Sequence, residues 1–136
     1  MAHHFSLQVF YEDTDALGVV YHANYVKFME RARTVFLQEK GLSLPALIDT
    51  FGIQLLVRNL QVSYARPARL LQALTVITEV TKINKASLTF SQNLYFDPSD
   101  LNTMICSGEV VVVCTNLDFK PCAIPAAIVR ELKSES

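Results

Sequence analysis

The feature that most constrains the fold is a single amphipathic helix pattern, which we place at about residues 22–40. Its apolar residues recur three and four positions apart, so they fall on one face of a helix. These residues are Tyr25, Phe28, Met29, Ala32 and Phe36. Asn24 is predicted as the N-cap, because its short side chain can bond an unpaired first-turn amide. Gly41 is predicted as the C-terminal stop.

Most of the remaining chain has the alternation or the β-branched composition that is typical of strands. Strands are predicted at residues 6–11, 53–64, 74–83, 87–96 and 104–115. Residues 43–50 are predicted to be a short helix or irregular cover, and a short helix is expected at about 125–133. One apolar helix beside a mainly antiparallel sheet packs economically when the sheet curves around the helix. Residues 1–136 are therefore predicted to form one α+β domain.

The loop before the long helix concentrates acidic residues. Glu12, Asp13 and Asp15 place three carboxylates close together, and Gly18 follows. A helix start presents unpaired N–H groups and the positive end of the helix dipole, which can hold an oxygen that gains negative charge. A nearby carboxylate can attack a carbonyl or deprotonate a water. The combination indicates acyl transfer, although an Asx turn is the commoner use of an aspartate such as Asp15 in a glycine-containing loop.

Two motifs in this part of the chain resemble a known family. Residues 13–25 contain D-T-D-x-x-G-V-V-Y-H-x-x-Y, and residues 30–33 contain E-R-A-R. They resemble the signature of hotdog-fold acyl-CoA thioesterases of the 4-hydroxybenzoyl-CoA thioesterase type, most closely the Tol-Pal-associated YbgC branch. The resemblance implies an antiparallel five-stranded sheet wrapped around one long central helix. It also implies hydrolysis of acyl-CoA or acyl-carrier-protein thioesters to free acid and thiol.

The resemblance implies roles for residues of the loop and the helix. Asp15 corresponds to the family's essential aspartate, as nucleophile or general base. The backbone N–H of His22 corresponds to the donor to the thioester carbonyl, and its imidazole could orient water or substrate. Tyr11 resembles a site tyrosine of the branch, with a core aromatic at a strand end as an equal alternative. Tyr21 and Tyr25 are expected to line the substrate pocket and to pack in the core.

The phosphates of coenzyme A call for basic side chains. Lys82 and Lys85 align with a basic turn that contacts the nucleotide in this family. That turn carries fewer basic residues here, which leaves an alternative set open: Arg58, Arg66 and Arg69. Glu30 is a reserve candidate for the catalytic carboxylate, because some hotdog thioesterases place theirs on the helix. Its other expected role is an ion pair on the helix with Arg33.

Composition limits the partners and the compartment. A net charge of −1 gives no indication of nucleic-acid binding. The N-terminus lacks the pattern of a signal peptide, and no stretch approaches the ~20 apolar residues that cross a bilayer, so a soluble, cytoplasmic protein is expected. Cys106, Cys114 and Cys122 show no C-x-x-C spacing and are expected to be reduced, mostly buried thiols. His3 and His4 do not make a metal site, and no cofactor is expected.

Assembly and activity retain alternatives. In the family that the motifs resemble, subunits join edge to edge and dimers often pair into tetramers. A hydrophobic content of 51% favours such extra buried surface. A homo-oligomer is therefore expected, and a peripheral link to an envelope complex stays open. The alternative activities are a hotdog dehydratase or hydratase, for which His22 is the only non-terminal histidine base, and a non-catalytic subunit that binds acyl chains or acyl-carrier protein. Acyl chain length and aromatic or aliphatic preference also stay open.

Overall fold

A computed structural model describes residues 2–134 and contains one antiparallel sheet of five strands. The strands are β1 (His3–Gln8), β2 (Ile53–Tyr64), β3 (Ala73–Ile83), β4 (Ser87–Tyr95) and β5 (Met104–Asn116). Their order across the sheet is β1-β3-β4-β5-β2, so β1 and β2 are the edge strands. The α-helices are α1 (Asn24–Glu39), α2 (Leu44–Ala46) and α3 (Ala126–Lys133). Shorter helical turns lie at Tyr11–Asp13, Leu47–Phe51 and Leu101–Thr103.

The helices show where the sequence-based expectation was too simple. A five-stranded antiparallel sheet with helices, as in a hotdog-like α+β fold, is confirmed. The resemblance had implied one long central helix; the described part of the chain has three α-helices, of which α2 and α3 lie where short helices were expected from the sequence. α1 is the longest at 16 residues, α3 has 8 and α2 has 3.

The first strand lies earlier than predicted. β1 covers His3–Gln8, whereas the alternation had suggested residues 6–11. The carboxylate of Asp13 accepts a hydrogen bond from the amide of Phe10 at 2.8 Å, which curls the chain into a helical turn just after the strand. Tyr11 begins that turn and so lies outside the strand. The other four strands begin and end within one residue of their predicted bounds.

The two ends of α1 are closed in different ways. The N-cap residue is Ala23, and no side chain caps the helix there. The prediction that Asn24 is the N-cap was wrong: Asn24 lies inside the helix, and its Nδ2 donates to the carbonyl of Asp13 at 2.9 Å. At the other end Gly41 has φ +75° and donates its amide back into the last turn. The predicted stop is thus confirmed as a glycine in the left-handed conformation.

The core consists of two clusters along α1. The first core cluster is Val9, Val20, Tyr25, Phe28, Met29, Ala32, Ala68, Leu74, Val76, Leu94, Ile105 and Cys106. The second core cluster is Phe36, Leu42, Leu47, Ile53, Leu88, Phe90, Val110, Val112, Cys114, Ile124, Ile128 and Leu132. All five residues of the predicted helix face are buried, four in the first cluster and one in the second.

A buried polar layer separates the two clusters. Arg33 donates from Nη1 to Oε1 of Gln92 at 2.7 Å. The amide nitrogen of Gln92 donates to the carbonyl of Met29 at 2.8 Å and to the hydroxyl of Thr78 at 3.0 Å. Gly108 lies at the same level of β5, where an added Cβ would come within 2.7 Å of the Met29 side chain. We call Arg33, Gln92 and Thr78 the polar layer; it joins α1 to β3 and β4.

Candidate active site

The loop between β1 and α1 folds back on itself as a short hairpin. Thr14 pairs with Val20 in an antiparallel bridge. The buried Asp13 accepts two hydrogen bonds at its carbonyl, from the amide of Tyr21 at 2.9 Å and from the side chain of Asn24 at 2.9 Å. Asp13 therefore has a structural role, because it ties the tip of the loop to the start of α1.

Asp15 opens a tight turn at the tip of this hairpin, and we call residues 15–18 the Asp15 turn. Its Oδ1 accepts a hydrogen bond from the amide of Leu17 at 2.8 Å, and its carbonyl accepts one from Gly18 at 3.0 Å. Gly18 has φ +79°, which glycine adopts without a Cβ clash. Among residues 2–134, Oδ2 of Asp15 accepts no hydrogen bond. Asp15 thus forms an Asx turn with one carboxylate oxygen, and its other oxygen stays available for chemistry.

An open cleft lies beside the start of α1. Its volume is about 280 Å³. Its lining residues are Val20, His22, Tyr25, Tyr64, Ala65, Arg66 and Pro67. The hydroxyl of Tyr64 donates to the carbonyl of His22 at 3.0 Å, and the hydroxyl of Tyr25 accepts from the amide of Ala68 at 3.1 Å. These two bonds join the end of β2 and the segment before β3 to the helix start.

The electrostatics link Asp15 to this cleft. Burial raises the pKa of the Tyr25 hydroxyl, and nearby groups that raise it further include Cys106, Tyr64 and the charge of Asp15. Burial also raises the pKa of Tyr64. Within one chain Asp15 does not line the cleft, but its charge acts on the hydroxyl of Tyr25, which does. Both tyrosines are therefore neutral hydrogen-bonding groups at neutral pH.

The helix start supplies an open donor. The amide of Asn24 is used by the carbonyl of Tyr21 at 2.8 Å. The amide of His22 has no hydrogen-bond acceptor within the described part of the chain, residues 2–134. The imidazole of His22 is exposed, with its ring centroid 4.6 Å from that of Tyr21 and 6.3 Å from that of Tyr64. The positive end of the α1 dipole thus lies beside an amide that can donate a hydrogen bond to a ligand oxygen.

The predicted aromatic residues divide into exposed and buried. Tyr11 is 83% exposed, so the alternative of a core aromatic was wrong for this residue. Tyr21 is exposed beside His22, whereas Tyr25 is buried in the first core cluster and presents its hydroxyl to the cleft. The structure therefore brings Tyr21 and Tyr25 to the helix start and leaves Tyr11 exposed on the loop.

The predicted phosphate-binding residues lie elsewhere in the chain. Lys82 and Lys85 are exposed at the turn between β3 and β4, whereas the Asp15 loop contacts the segment just before β3. The length of β3 separates the two positions by about 30 Å. One chain therefore does not bring these lysines to the cleft. Among the alternative arginines, Arg66 lines the cleft, and Arg69 pairs with Val19 in the loop.

Sequence reasoning missed two contributors. Tyr64 was predicted only as the last residue of a strand, yet it lines the cleft and donates to the carbonyl of His22. An aromatic residue at the end of a strand, next to the A-R-P turn, was the available signal. The polar layer was missed because Gln92 and Arg33 are 59 residues apart. The exposed side chain of Glu30 forms an ion pair with Arg33, as predicted.

The fold and the site together define a hotdog-like domain of the thioesterase type. Residues 9–132 match the model of the thioesterase-like superfamily. A probable thioesterase of Bartonella henselae superposes with a TM-score of 0.84 at 29% identity, covering 92% of this chain and 100% of that chain.

Sequence relatives narrow the assignment. The acyl-CoA thioester hydrolase YbgC of Escherichia coli O6:H1 is 44% identical over 128 residues, which are 93% of this chain and 92% of that protein. The acyl-CoA thioesterase YbgC of Haemophilus influenzae is 37% identical over 125 residues, 91% and 89% of the two chains. The chain belongs to the thioesterase-like superfamily and, within it, to the YbgC group.

Within residues 2–134 no helix has the length and apolar character that crossing a membrane requires. The same residues contain no group of three or more histidine, cysteine, aspartate or glutamate side chains placed to hold a metal ion.

Proposed function

We propose that this protein hydrolyses acyl-CoA thioesters to a free acid and a thiol, with Asp15 as the reacting carboxylate. The observation that carries the proposal is the Asp15 turn. One carboxylate oxygen is anchored on the amide of Leu17 at 2.8 Å, and the loop is tied to the start of α1 through Asp13. The printed names of the two YbgC relatives, an acyl-CoA thioester hydrolase and an acyl-CoA thioesterase, support the substrate class.

The carboxylate can act by two routes, and both need the anion. As a nucleophile, its uncommitted oxygen attacks the thioester carbonyl carbon, the thiolate leaves, and water then cleaves the mixed anhydride. As a general base, it takes a proton from the water that attacks the same carbon. In either route the anchored oxygen of Asp15 restricts rotation of the side chain, which favours a fixed angle of attack.

The start of α1 stabilises the charge that develops on the substrate. The thioester oxygen becomes negative as the carbonyl carbon is attacked. In our proposal the amide of His22 donates to that oxygen, and the helix dipole adds to the stabilisation. The hydroxyl of Tyr64 holds the carbonyl of His22 at 3.0 Å, so it fixes the peptide next to the donor. Tyr64 is thereby a positioning residue, and it does not touch the reacting atoms.

The cleft is proposed to hold the part of the substrate next to the thioester. Its walls are aromatic, with Tyr25 and Tyr64 at a centroid distance of 5.7 Å. Arg66 contributes a cation among the lining residues, which suits a phosphate or another anionic group of the carrier. Tyr11 and Tyr21 are exposed beside the loop and are proposed to contact the acyl part once a second subunit closes over them.

A homo-oligomer would complete this site. β2 is an edge strand of 12 residues whose only paired neighbour among the described strands is β5. Val57, Leu60 and Tyr64 are exposed along it. Pairing of two β2 edges would bury this apolar surface and join the two sheets into one. Each subunit would contribute its α1 as a central helix. We propose a dimer of this kind, with further pairing into a tetramer, in which Lys82 and Lys85 of one subunit bind the nucleotide of the other. A peripheral envelope partner would bind the assembled oligomer.

The test replaces Asp15 by Asn, which keeps an oxygen for the amide of Leu17 but removes the charge. The turnover number for acyl-CoA hydrolysis, followed as released thiol, should fall by about 100-fold or more. Glu12→Gln is the matched control, because it removes an exposed carboxylate from the same loop and should change turnover by less than about twofold. Hydrolysis by Asp15→Asn within about tenfold of the parent rate would exclude the role.

The dehydratase alternative has less support from the geometry. That chemistry needs a histidine base paired with an acid, but the ring of His22 lies against Tyr21 and Tyr64 and has no carboxylate partner within residues 2–134. His22→Ala leaves the backbone amide in place, so we expect it to retain thioester hydrolysis to within about tenfold. Loss of enoyl-CoA absorbance with the parent protein, abolished in His22→Ala, would instead favour the dehydratase.

A further inference from the structure

Two of the three cysteines are held side by side at the end of the sheet opposite the Asp15 loop. The sulfur atoms of Cys114 and Cys122 are 3.7 Å apart. Cys114 is near the end of β5, and Cys122 lies in the segment that returns along it. The amide of Cys122 donates to the carbonyl of Cys114 at 3.0 Å, so the two residues face each other across an antiparallel pair.

The turn between the cysteines keeps them in register. Thr115 pairs with Pro121, and the amide of Asn116 donates to the carbonyl of Lys120 at 2.9 Å. The side-chain oxygen of Asn116 accepts from the amides of Asp118 at 2.9 Å and of Lys120 at 3.1 Å. Directly opposed residues of antiparallel strands have Cα atoms about 4.5–5.5 Å apart. A disulfide spans about 4.4–6.8 Å between Cα atoms, so the backbone already has a suitable spacing.

The two thiols differ in exposure, and this difference determines which of them reacts first with an oxidant. Cys122 is partly exposed, whereas Cys114 is buried in the second core cluster. Burial raises the pKa of Cys114 to about 12, so the exposed neighbour is the thiol that an oxidant meets first. Cys106 is buried in the first core cluster, eight residues back along β5 and about 25 Å away. It therefore serves as an internal control.

We propose that Cys114 and Cys122 are a modification site, at which a peroxide closes an intramolecular disulfide that thiols reopen. The sulfur of Cys122 attacks one peroxide oxygen, forming a sulfenic acid and releasing the other oxygen as water. The sulfur of Cys114 then loses its proton and attacks the sulfur of Cys122, and the sulfenic oxygen leaves as a second water. Two thiols are oxidised, with loss of two hydrogen atoms, and one hydrogen peroxide is reduced to two waters.

The bond would fix the segment that holds the β3–β4 turn. The amide of Cys114 donates to the carbonyl of Ala86 at 2.8 Å, and the amide of Ile124 donates to the carbonyl of Lys85 at 2.8 Å. These two donors lie on the two segments that the disulfide would join. Oxidation is therefore expected to slow the hydrogen exchange of the Cys122 and Ile124 amides, because opening of the returning segment would require more of the strand to move.

The experiment uses the full-length protein and hydrogen peroxide. Thiols are counted after denaturation, and the three of the reduced chain should fall to one. The intact mass should decrease by two hydrogen atoms and return with dithiothreitol. Cleavage before Asp118 should yield two peptides joined until reduction. The Cys106→Ser variant contains two thiols and should lose both on peroxide treatment. The Cys122→Ser variant should keep both of its thiols under the same treatment.

Three results would overturn the proposal. The first is retention of three thiols by the parent protein at a peroxide concentration that oxidises free glutathione completely. The second is a gain of oxygen mass at Cys122 without a link to Cys114. The third is a disulfide-linked dimer on a non-reducing gel, which would assign Cys122 to a contact between chains. The parent protein alone decides each of these, so the result does not depend on the folding of a variant.

Discussion

The two ends of α1 are packed against different kinds of surroundings. At its start, the first core cluster is bordered by the Asp15 turn, exposed Tyr21, half-exposed Tyr64 and an open cleft. At its end, the second core cluster is covered by α3 and the helical turn Leu47–Phe51 and contains Cys114 beside Cys122. The polar layer lies between them and bonds α1 to the sheet.

This contrast shows how a small protein can combine an open site with a stable core. Groups left accessible at the first end, such as the amide of His22, would cost stability if they were buried without partners. The second end consists mainly of close apolar contacts. Changes within the second core cluster should therefore alter stability alone, whereas changes within the first core cluster should alter stability and turnover together.

The largest expected effect comes from a matched pair of truncations, Phe90→Ala and Phe28→Ala. Both side chains are about 1% exposed, and each should lose about 3–5 kcal/mol in the free energy of unfolding. Phe28 lies edge-on to Tyr25 at 6.1 Å, so its loss should also lower turnover; Phe90, which packs on Phe36, should not. Urea unfolding and hydrolysis rates, measured well below both melting temperatures, test this. Equal turnover losses in the two variants would contradict the division into two ends.

A smaller effect is expected from the polar layer. Gln92→Leu removes the acceptor of Arg33 and leaves the carbonyl of Met29 and the hydroxyl of Thr78 without their donor. An unsatisfied buried group costs about 1–3 kcal/mol, so unfolding should become easier by about that amount.

The double variant Arg33→Met with Gln92→Leu is the control for the polar layer. It removes the buried charge with its partner and should lose less stability than the sum of the two single variants. Additive losses in urea unfolding would show that Arg33 and Gln92 are not coupled.

The two ends can also be compared by the pH dependence of folding stability, because each end contains a buried thiol. Burial raises the pKa of Cys106 from 9.0 to about 12, so the folded state holds this proton at pH values where the unfolded state has lost it. The stabilisation is complete below pH 9 and is lost as pH rises toward 12. Melting temperatures should therefore decline above pH 9, with a loss of about 1 kcal/mol per buried thiol by pH 10.

Cys106→Ser and Cys114→Ser separate the contributions to that decline. Each removes one titrating thiol with a pKa raised by burial, so each should flatten the alkaline part of the stability curve. An unchanged slope in Cys106→Ser would mean that this thiol does not titrate differently in the folded and unfolded chains. A slope changed only by Cys114→Ser would place the alkaline sensitivity entirely at the second end.

The smallest effect on stability is expected for Tyr64→Phe. The hydroxyl donates to the carbonyl of His22 at 3.0 Å from a half-exposed position, so its loss should cost only about 0.5 kcal/mol. If Tyr64 positions the peptide beside the proposed oxyanion donor, turnover should fall several-fold while the Michaelis constant changes less. Tyr21→Phe is the matched control: it keeps the ring that is proposed to contact the acyl part and removes only a hydroxyl without a hydrogen bond within residues 2–134, so both constants should stay unchanged.

The prediction from sequence succeeded where neighbouring residues carry the signal. The helix face, the stop at Gly41 and four of the five strands followed from periodicity and turn residues. The end of β1 was misplaced because the hydrogen bond between Asp13 and the amide of Phe10 turns the chain away, and the alternation of apolar residues does not indicate such a bond. Asn24 was misassigned because its side chain found an acceptor in the loop instead of its own helix.

The helices, the strands and the position of the acidic turn follow from local spacing in the chain, because intervals of two, three and four residues reflect local backbone geometry. The contacts between side chains that are distant in the chain follow from the tertiary structure alone. Arg33 reaches Gln92 59 residues away, and Tyr64 reaches the carbonyl of His22 42 residues away. Such contacts depend on the order of strands in the sheet, and the periodicity of a single segment does not determine that order.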